Sequence, residues 1–284
     1  MGSGQVIERP GAGRRGRALG NEIVKNLALL GVGNVLVADR DSIEHSNLSR
    51  SVLFRDSDIG RPKSIVAVEA ARTIYPGIHA HAFVGDVINA FGLGAFRWAD
   101  LVISGLDNRE ARLHLSRVCN RLGKPWIDGA IEHIQGVART FLPDASAPCY
   151  ECTMTARDWE LVNQRRSCNM LTREQMLTGH TPTTPTISSI IAGVQTQEAV
   201  KLIHGMDSSL AGRGFVFMGS TCETFTVEYQ RKNDCLGHEA FQAVVSIDAC
   251  TDTLTLRELL SIAQARIGRP SRDARSRSRH RRTT

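Results

Sequence analysis

Four polar residues close together in the sequence could handle a nucleotide. Asp39 ends the apolar run Val35–Ala38, which reads as a buried parallel strand. A carboxylate at the carboxyl end of such a strand, some 20 residues after a glycine turn, suits the two hydroxyls of a ribose. Asn47, Arg50 and Lys63 follow on a loop and a helix start. Arg presents a planar fork to phosphate oxygens and Lys a point charge. One acid for a ribose and two cations for phosphates describe a nucleoside triphosphate better than a dinucleotide.

Asp107 repeats the placement of Asp39. It follows the apolar run Asp100–Ser104 through Gly105-Leu106, so it belongs to the same crevice of an open sheet. A carboxylate there is a fitting hard ligand for Mg2+, which takes few carboxylates together with phosphate oxygens and water. The other reading is a helix N-cap, a common place for Asp. Cys149-Tyr150-Glu151-Cys152 and Cys235-Leu236-Gly237-His238 are two pairs with two-residue spacing. Together they could make a tetrahedral Cys3His zinc site, structural because all four positions are filled. Unrelated buried thiols and a surface histidine are the alternative. Cys168 lies in the segment QRRSCNML, where Arg165 and Arg166 could lower a thiol pKa.

Positioning these groups requires alternating strands and helices. Asn21–Leu30 has helical period and stops at Gly31, and Pro62 stands where the next helix should begin. Strands are expected over 78–84, 100–104, 124–131 and 135–142, with a helix or turn over 86–96 and helices over 109–122 and 185–204. An antiparallel pair is expected within 212–230, and a weaker strand and helix after 239. This pattern predicts an α/β fold with a doubly wound, mostly parallel, Rossmann-like sheet, late antiparallel strands and a zinc clip. The front end is the anomaly. A nucleotide fold needs an apolar strand before its glycine turn, and here only QVIERP precedes Gly11-Ala12-Gly13-Arg14-Arg15-Gly16. The sequence therefore predicts no strand before residue 18.

The motifs in their order resemble the ThiF/MoeB/ubiquitin-activating (E1-like) superfamily. They are Asp39-Arg40-Asp41, Ser46-Asn47-Leu48-Ser49-Arg50, Leu53-Phe54, Asp58-Ile59-Gly60, Arg61-Pro62-Lys63 and Asp107-Asn108 with Arg112. Ser51 departs from the usual Gln and Arg61 from the usual Lys; His238 stands where a Cys is usual. The likeness runs from about Ala18 to about Gly205. In the register it implies, Gly11 and Gly13 start the phosphate turn and Gly20 opens the helix after a four-residue insertion. It implies an adenylyltransferase using ATP and Mg2+ on the terminal carboxylate of a ubiquitin-like or sulfur-carrier protein ending in Gly-Gly. Asp39 would take the ribose, Asn47, Arg50 and Lys63 the phosphates, and Asp107 the Mg2+. Cys168 would receive the acyl group as a thioester. A homodimer is implied too. Two other readings stay open: a scaffold that binds a carrier without activating it, and an NAD-dependent oxidoreductase, which would leave Arg50, Lys63, Asp107 and the Cys/His pairs unused.

The chain has 284 residues, of which 42% are hydrophobic, enough for one large α/β domain. The boundaries read as an atypical N-terminus (1–17), an adenylating domain (18–240), a small appendage (241–265) and a tail (266–284). The net charge of +6 belongs to the tail, whose eight Arg and one Asp leave the rest at −1. Such a tail is expected to be disordered and to touch nucleic acid through charge alone, if at all. No apolar run reaches about 18 residues, so no membrane span is expected. Seven cysteines, an odd number, fit reduced thiols in a cytoplasm better than a disulfide framework.

Overall fold

A computed structural model describes residues 3–7, 18–144, 146–166, 184–241 and 252–267, with 244, 247 and 249. The chain divides into two units after Phe241. The first holds one eight-stranded sheet, ordered β3-β2-β1-β4-β5-β6-β7-β8. Strands β1 (Ser3–Ile7), β2 (Asn34–Asp39), β3 (His79–Val84), β4 (Leu101–Ser104) and β5 (Trp126–Glu132) run parallel. Strands β6 (Gln135–Phe141), β7 (Arg213–Met218) and β8 (Glu223–Glu228) complete it antiparallel.

The expectation of no strand before residue 18 is overturned. β1 lies in the middle of the sheet, with Ile7 in register with Ala38 on one side and Ser104 on the other. Only Val6 and Ile7 of this strand are apolar, so it carries almost no hydrophobic signal of its own. The ladder on both edges, more than local propensity, defines it.

Alternation along the strands feeds two cores. Val37, Ile103 and Ile127 point to one face, where α1 (Ala18–Leu29), α2 (Lys63–Ile74) and α7 (Pro185–Ile203) bury Ile23, Val66 and Ile191. Val102, Trp126 and Phe141 point to the other, against α3 (Leu93–Trp98), α4 (Arg109–Leu122), α5 (Tyr150–Thr153) and α6 (Ala156–Arg166). Each fully buried Leu, Ile or Phe in these layers contributes about 1.5–3 kcal/mol. α4 ends at Gly123, whose φ of 66° is a left-handed stop that glycine takes without strain. Trp126 and Trp159 pack into the second core, whereas Trp98 is 43% exposed. The second unit contains α8 (Leu256–Ile267), begun by a reciprocal cap in which Glu258 accepts the Thr255 N–H at 2.8 Å. Among the described residues no helix is long and apolar enough to cross a membrane.

Candidate functional site

β2 delivers Asp39 at its last residue, 2% exposed, and the Asp39 carboxylate turns the chain by accepting the Asp41 N–H at 2.8 Å. A 3-10 turn, His45–Arg50, follows. Its buried Asn47 uses its side-chain oxygen to accept the Glu44 N–H at 3.0 Å, which fixes the start of that turn. Arg50 closes the turn by donating from Nη1 to the Ser46 carbonyl at 3.0 Å. Pro62 then caps α2, as its position in the sequence predicts, and Lys63 is the first helical residue. The Lys63 side chain is only 3% exposed, and its ammonium lies 3.3 Å from an Asp41 carboxylate oxygen. One cavity is lined by Gly20, Asn21, Asp39, Phe54, Lys63 and Ser64, among others. It joins the first turn of α1, the end of β2 and the start of α2. The cavity is small, and what it brings together is an acid, a cation and a helix N-terminus, the kinds of group that meet a ribose and phosphates.

Asp107 is half-buried in the loop from β4 to α4. It does not line that cavity; the loop that carries it meets the start of α1 at Gly105. A Cβ at Gly105 would stand 2.7 Å from the Leu19 Cβ and 3.3 Å from the Gly20 nitrogen. Only glycine lets the β4 loop come this close to the start of α1. The helix cap is supplied by Asn108, whose side chain accepts the Ala111 N–H at 2.7 Å. Capping therefore does not account for Asp107. Gly11, Gly13 and Cys168 lie outside the described residues.

The two Cys/His pairs meet. Cys149 sits at the start of α5 and Cys152 within it; Cys235 caps a 3-10 turn that His238 ends. Their ligand atoms all lie within 4.8 Å of one another. The Cys149 sulfur is 3.8 Å from that of Cys152 and 3.5 Å from that of Cys235, and the Cys152 sulfur is 3.1 Å from His238 Nε2. A tetrahedral zinc with Zn–S bonds of about 2.3 Å sets its sulfurs about 3.8 Å apart, so the donor set fits that metal. Burial pushes the Cys149 and Cys235 thiols up and holds the His238 imidazole below its ordinary value. A neutral imidazole is the ligating form, and a bound cation would deprotonate the thiols. Asn120 of α4 donates to the Gly237 carbonyl at 2.8 Å and Arg117 of α4 pairs with Glu151, so the cluster fastens the 235–238 turn to the helix that follows Asp107.

Sequence reasoning missed two charged residues, Asp128 and Arg139, that meet Arg112 of the Asp107-Asn108 motif. Asp128, fully buried on β5, receives Arg112 of α4 at 3.0 Å and a second ion pair from Arg139 of β6. Asp128 carries the same signal that found Asp39 and Asp107, an acid following an apolar run. Asn21 was missed as well, and its side-chain oxygen accepts the Leu53 N–H at 2.8 Å.

A model of the ThiF family matches residues 11–237. The SAMP-activating enzyme E1 of Haloferax volcanii is 30% identical over 243 residues, 83% of this chain and 84% of that protein. The sulfur carrier protein adenylyltransferase of Thermus thermophilus is 33% identical over 138 residues, 47% of this chain and 51% of that protein. Among solved structures, E. coli MccB with ATP has a TM-score of 0.64 at 18% identity, covering 83% of this chain and 66% of that one, which is a likeness of fold. The motifs from Asp39 to Arg112 lie within the matched residues, and the chain belongs to the ThiF family.

Proposed function

We propose that this protein adenylates the C-terminal carboxylate of a ubiquitin-like or sulfur-carrier protein ending in Gly-Gly. The observation that carries this reading is the corner where Gly20, Asp39 and Lys63 line one cavity and the Asp107 loop abuts the same helix start. The names of its relatives, an activating enzyme for SAMP and a sulfur-carrier adenylyltransferase, support the class of substrate.

In this reading Asp39 accepts the ribose hydroxyls, and Lys63, Arg50 and Asn47 hold the phosphates. A carboxylate oxygen of the carrier attacks the α-phosphorus; the bond from that phosphorus to the bridging oxygen breaks, and pyrophosphate leaves with the electron pair. Charge grows on the phosphate oxygens, so fixed cations supply most of the acceleration. Asp107 would hold Mg2+, whose charge would offset that of the departing pyrophosphate. The Cys149, Cys152, Cys235 and His238 cluster would hold zinc as a structural clip. Cys168 would then displace AMP from the adenylate to form a thioester, a step that needs its thiolate. Homodimerisation and a reducing, cytoplasmic setting belong to the same proposal.

The test is exchange of labelled pyrophosphate into ATP with a Gly-Gly carrier. Asp107→Ala abolishes exchange, whereas Cys168→Ala keeps it and loses only the thioester. Loss of exchange in a folded Cys168→Ala protein breaks this division of roles. Binding of the carrier with no nucleotide-dependent step would leave a scaffold instead.

A further inference from the structure

Asp128 is fully buried, yet it carries a charge that the proposed chemistry does not use. Three elements converge on its carboxylate. Arg112 Nε of α4 donates to Oδ1 at 3.0 Å, the Ser104 hydroxyl of β4 donates to the same oxygen at 3.2 Å, and Arg139 of β6 donates to Oδ2. Ser104 is itself held, accepting the Trp126 indole N–H at 2.9 Å on its hydroxyl and the Gln195 amide at 2.8 Å on its carbonyl.

The far end of the Arg112 guanidinium does something separate. Its Nη2 donates to the carbonyl of Leu106, the residue before Asp107, and to the carbonyl of Gly129 at 3.2 Å. On the other side of Asp107, Asn108 is fixed as the helix cap. Asp107 is thus strung between two anchored neighbours, one of them anchored by a guanidinium that Asp128 orients.

Burying ions of this kind is a poor way to gain stability, because well-packed apolar groups of the same volume do as well or better. Holding a guanidinium in one orientation is what the charge adds, since the fork must meet a carboxylate and two carbonyls at fixed angles. We infer that Asp128 is a positioning residue that acts through Arg112 to set the Asp107 carboxylate for its Mg2+. The inference rests on the adenylation reading.

Thermal unfolding of the full chain tests it, first with ATP and EDTA, then with ATP and increasing Mg2+. In the wild type ATP alone stabilises, and Mg2+ adds to the shift. In Asp128→Asn the ATP–EDTA shift is kept, while the Mg2+ concentration for half of the further shift rises about 10–100-fold, the usual cost of losing a group that orients a metal ligand. Arg112→Lys keeps the charge opposite Asp128 but lacks the fork, and shows the same rise. It decides the matter if Asp128→Asn fails to fold. Asp107→Ala abolishes the Mg2+ increment and sets the limit.

Folded Asp128→Asn or Arg112→Lys protein with the wild-type Mg2+ requirement reduces the cluster to packing. Loss of the ATP–EDTA shift in Arg112→Lys also overturns the inference, because the effect then does not run through Asp107. A wild type that ATP does not stabilise in either condition fails earlier. That outcome removes the nucleotide reading and this inference with it.

Discussion

The side-chain oxygen of Asn21, in the first turns of α1, accepts the backbone N–H of Leu53 at 2.8 Å. Both residues are buried, and the bond pins the segment after Arg50 to the helix whose start lines the cavity. Asn21→Ala leaves a buried amide without its acceptor, which costs about 1–3 kcal/mol. Urea unfolding measures that loss. Binding of ATP to the folded variant weakens too, since the Arg50 segment loses its tether, and titration calorimetry reads the change.

Asp39→Asn keeps the size of the side chain and its hydrogen bond to the Asp41 N–H. It removes the negative charge proposed to accept the ribose hydroxyls. Affinity for ATP falls about tenfold, the scale of one charged hydrogen bond of about 1.5 kcal/mol. The same substitution changes affinity for 2′,3′-dideoxy-ATP little. Equal losses for both nucleotides would place the ribose elsewhere.

Gly105→Ala puts a methyl 2.7 Å from the Leu19 Cβ, so the β4 loop must withdraw from α1. The expected cost is about 1–3 kcal/mol by overpacking. The Mg2+-dependent part of ATP stabilisation falls with it, because Asp107 rides on that loop. Chemical unfolding together with ATP and Mg2+ titrations checks both.

The zinc proposed at Cys149, Cys152, Cys235 and His238 would tie residues 235–238 to α4, so chelation is expected to lower the melting temperature and Cys149→Ser to abolish the response to chelator. Gly237→Ala acts on the same site, since its Cβ would stand 2.9 Å from the Cys149 sulfur. Metal analysis of purified protein expects one zinc per chain in the wild type and far less in Cys149→Ser.

Asp158 gives a pH dependence. Burial pushes its carboxyl up, but the Thr155 N–H and hydroxyl and the Arg109 guanidinium outweigh burial and hold it below the ordinary value of 3.8. The folded state thus binds this proton less readily than the unfolded chain. The resulting stabilisation is present above about pH 4 and is lost as pH falls through the depressed folded value. Urea midpoints at pH 7 and pH 3 should therefore differ less in Asp158→Asn than in the wild type.

Where the sequence was legible, local chemistry and tertiary structure agreed. The helix 109–122 has its cap, its apolar stripe and its terminal glycine all in the chain, and α4 spans those residues. The spacing of Cys149, Cys152, Cys235 and His238 pointed to one cluster, because a four-ligand site leaves a pattern that does not depend on the distance between its halves. β1 was illegible, since a central strand with two apolar residues is held by ladders on both sides that no local pattern records. Asp128 escaped because its partners come from α4, β4 and β6, and only the folded sheet brings them together.

The central place of β1 has a consequence for synthesis. Its partners are β2, at 34–38, and β4, at 101–104. During translation at about 5–20 residues per second, β1 leaves the ribosome roughly 5–20 s before β4 can cover its second edge. For that interval an unpaired strand edge is open to the wrong neighbour. The nascent chain is therefore most vulnerable to aggregation before residue 104 emerges, and slowing elongation over residues 8–100 should lower the soluble yield more than slowing it later.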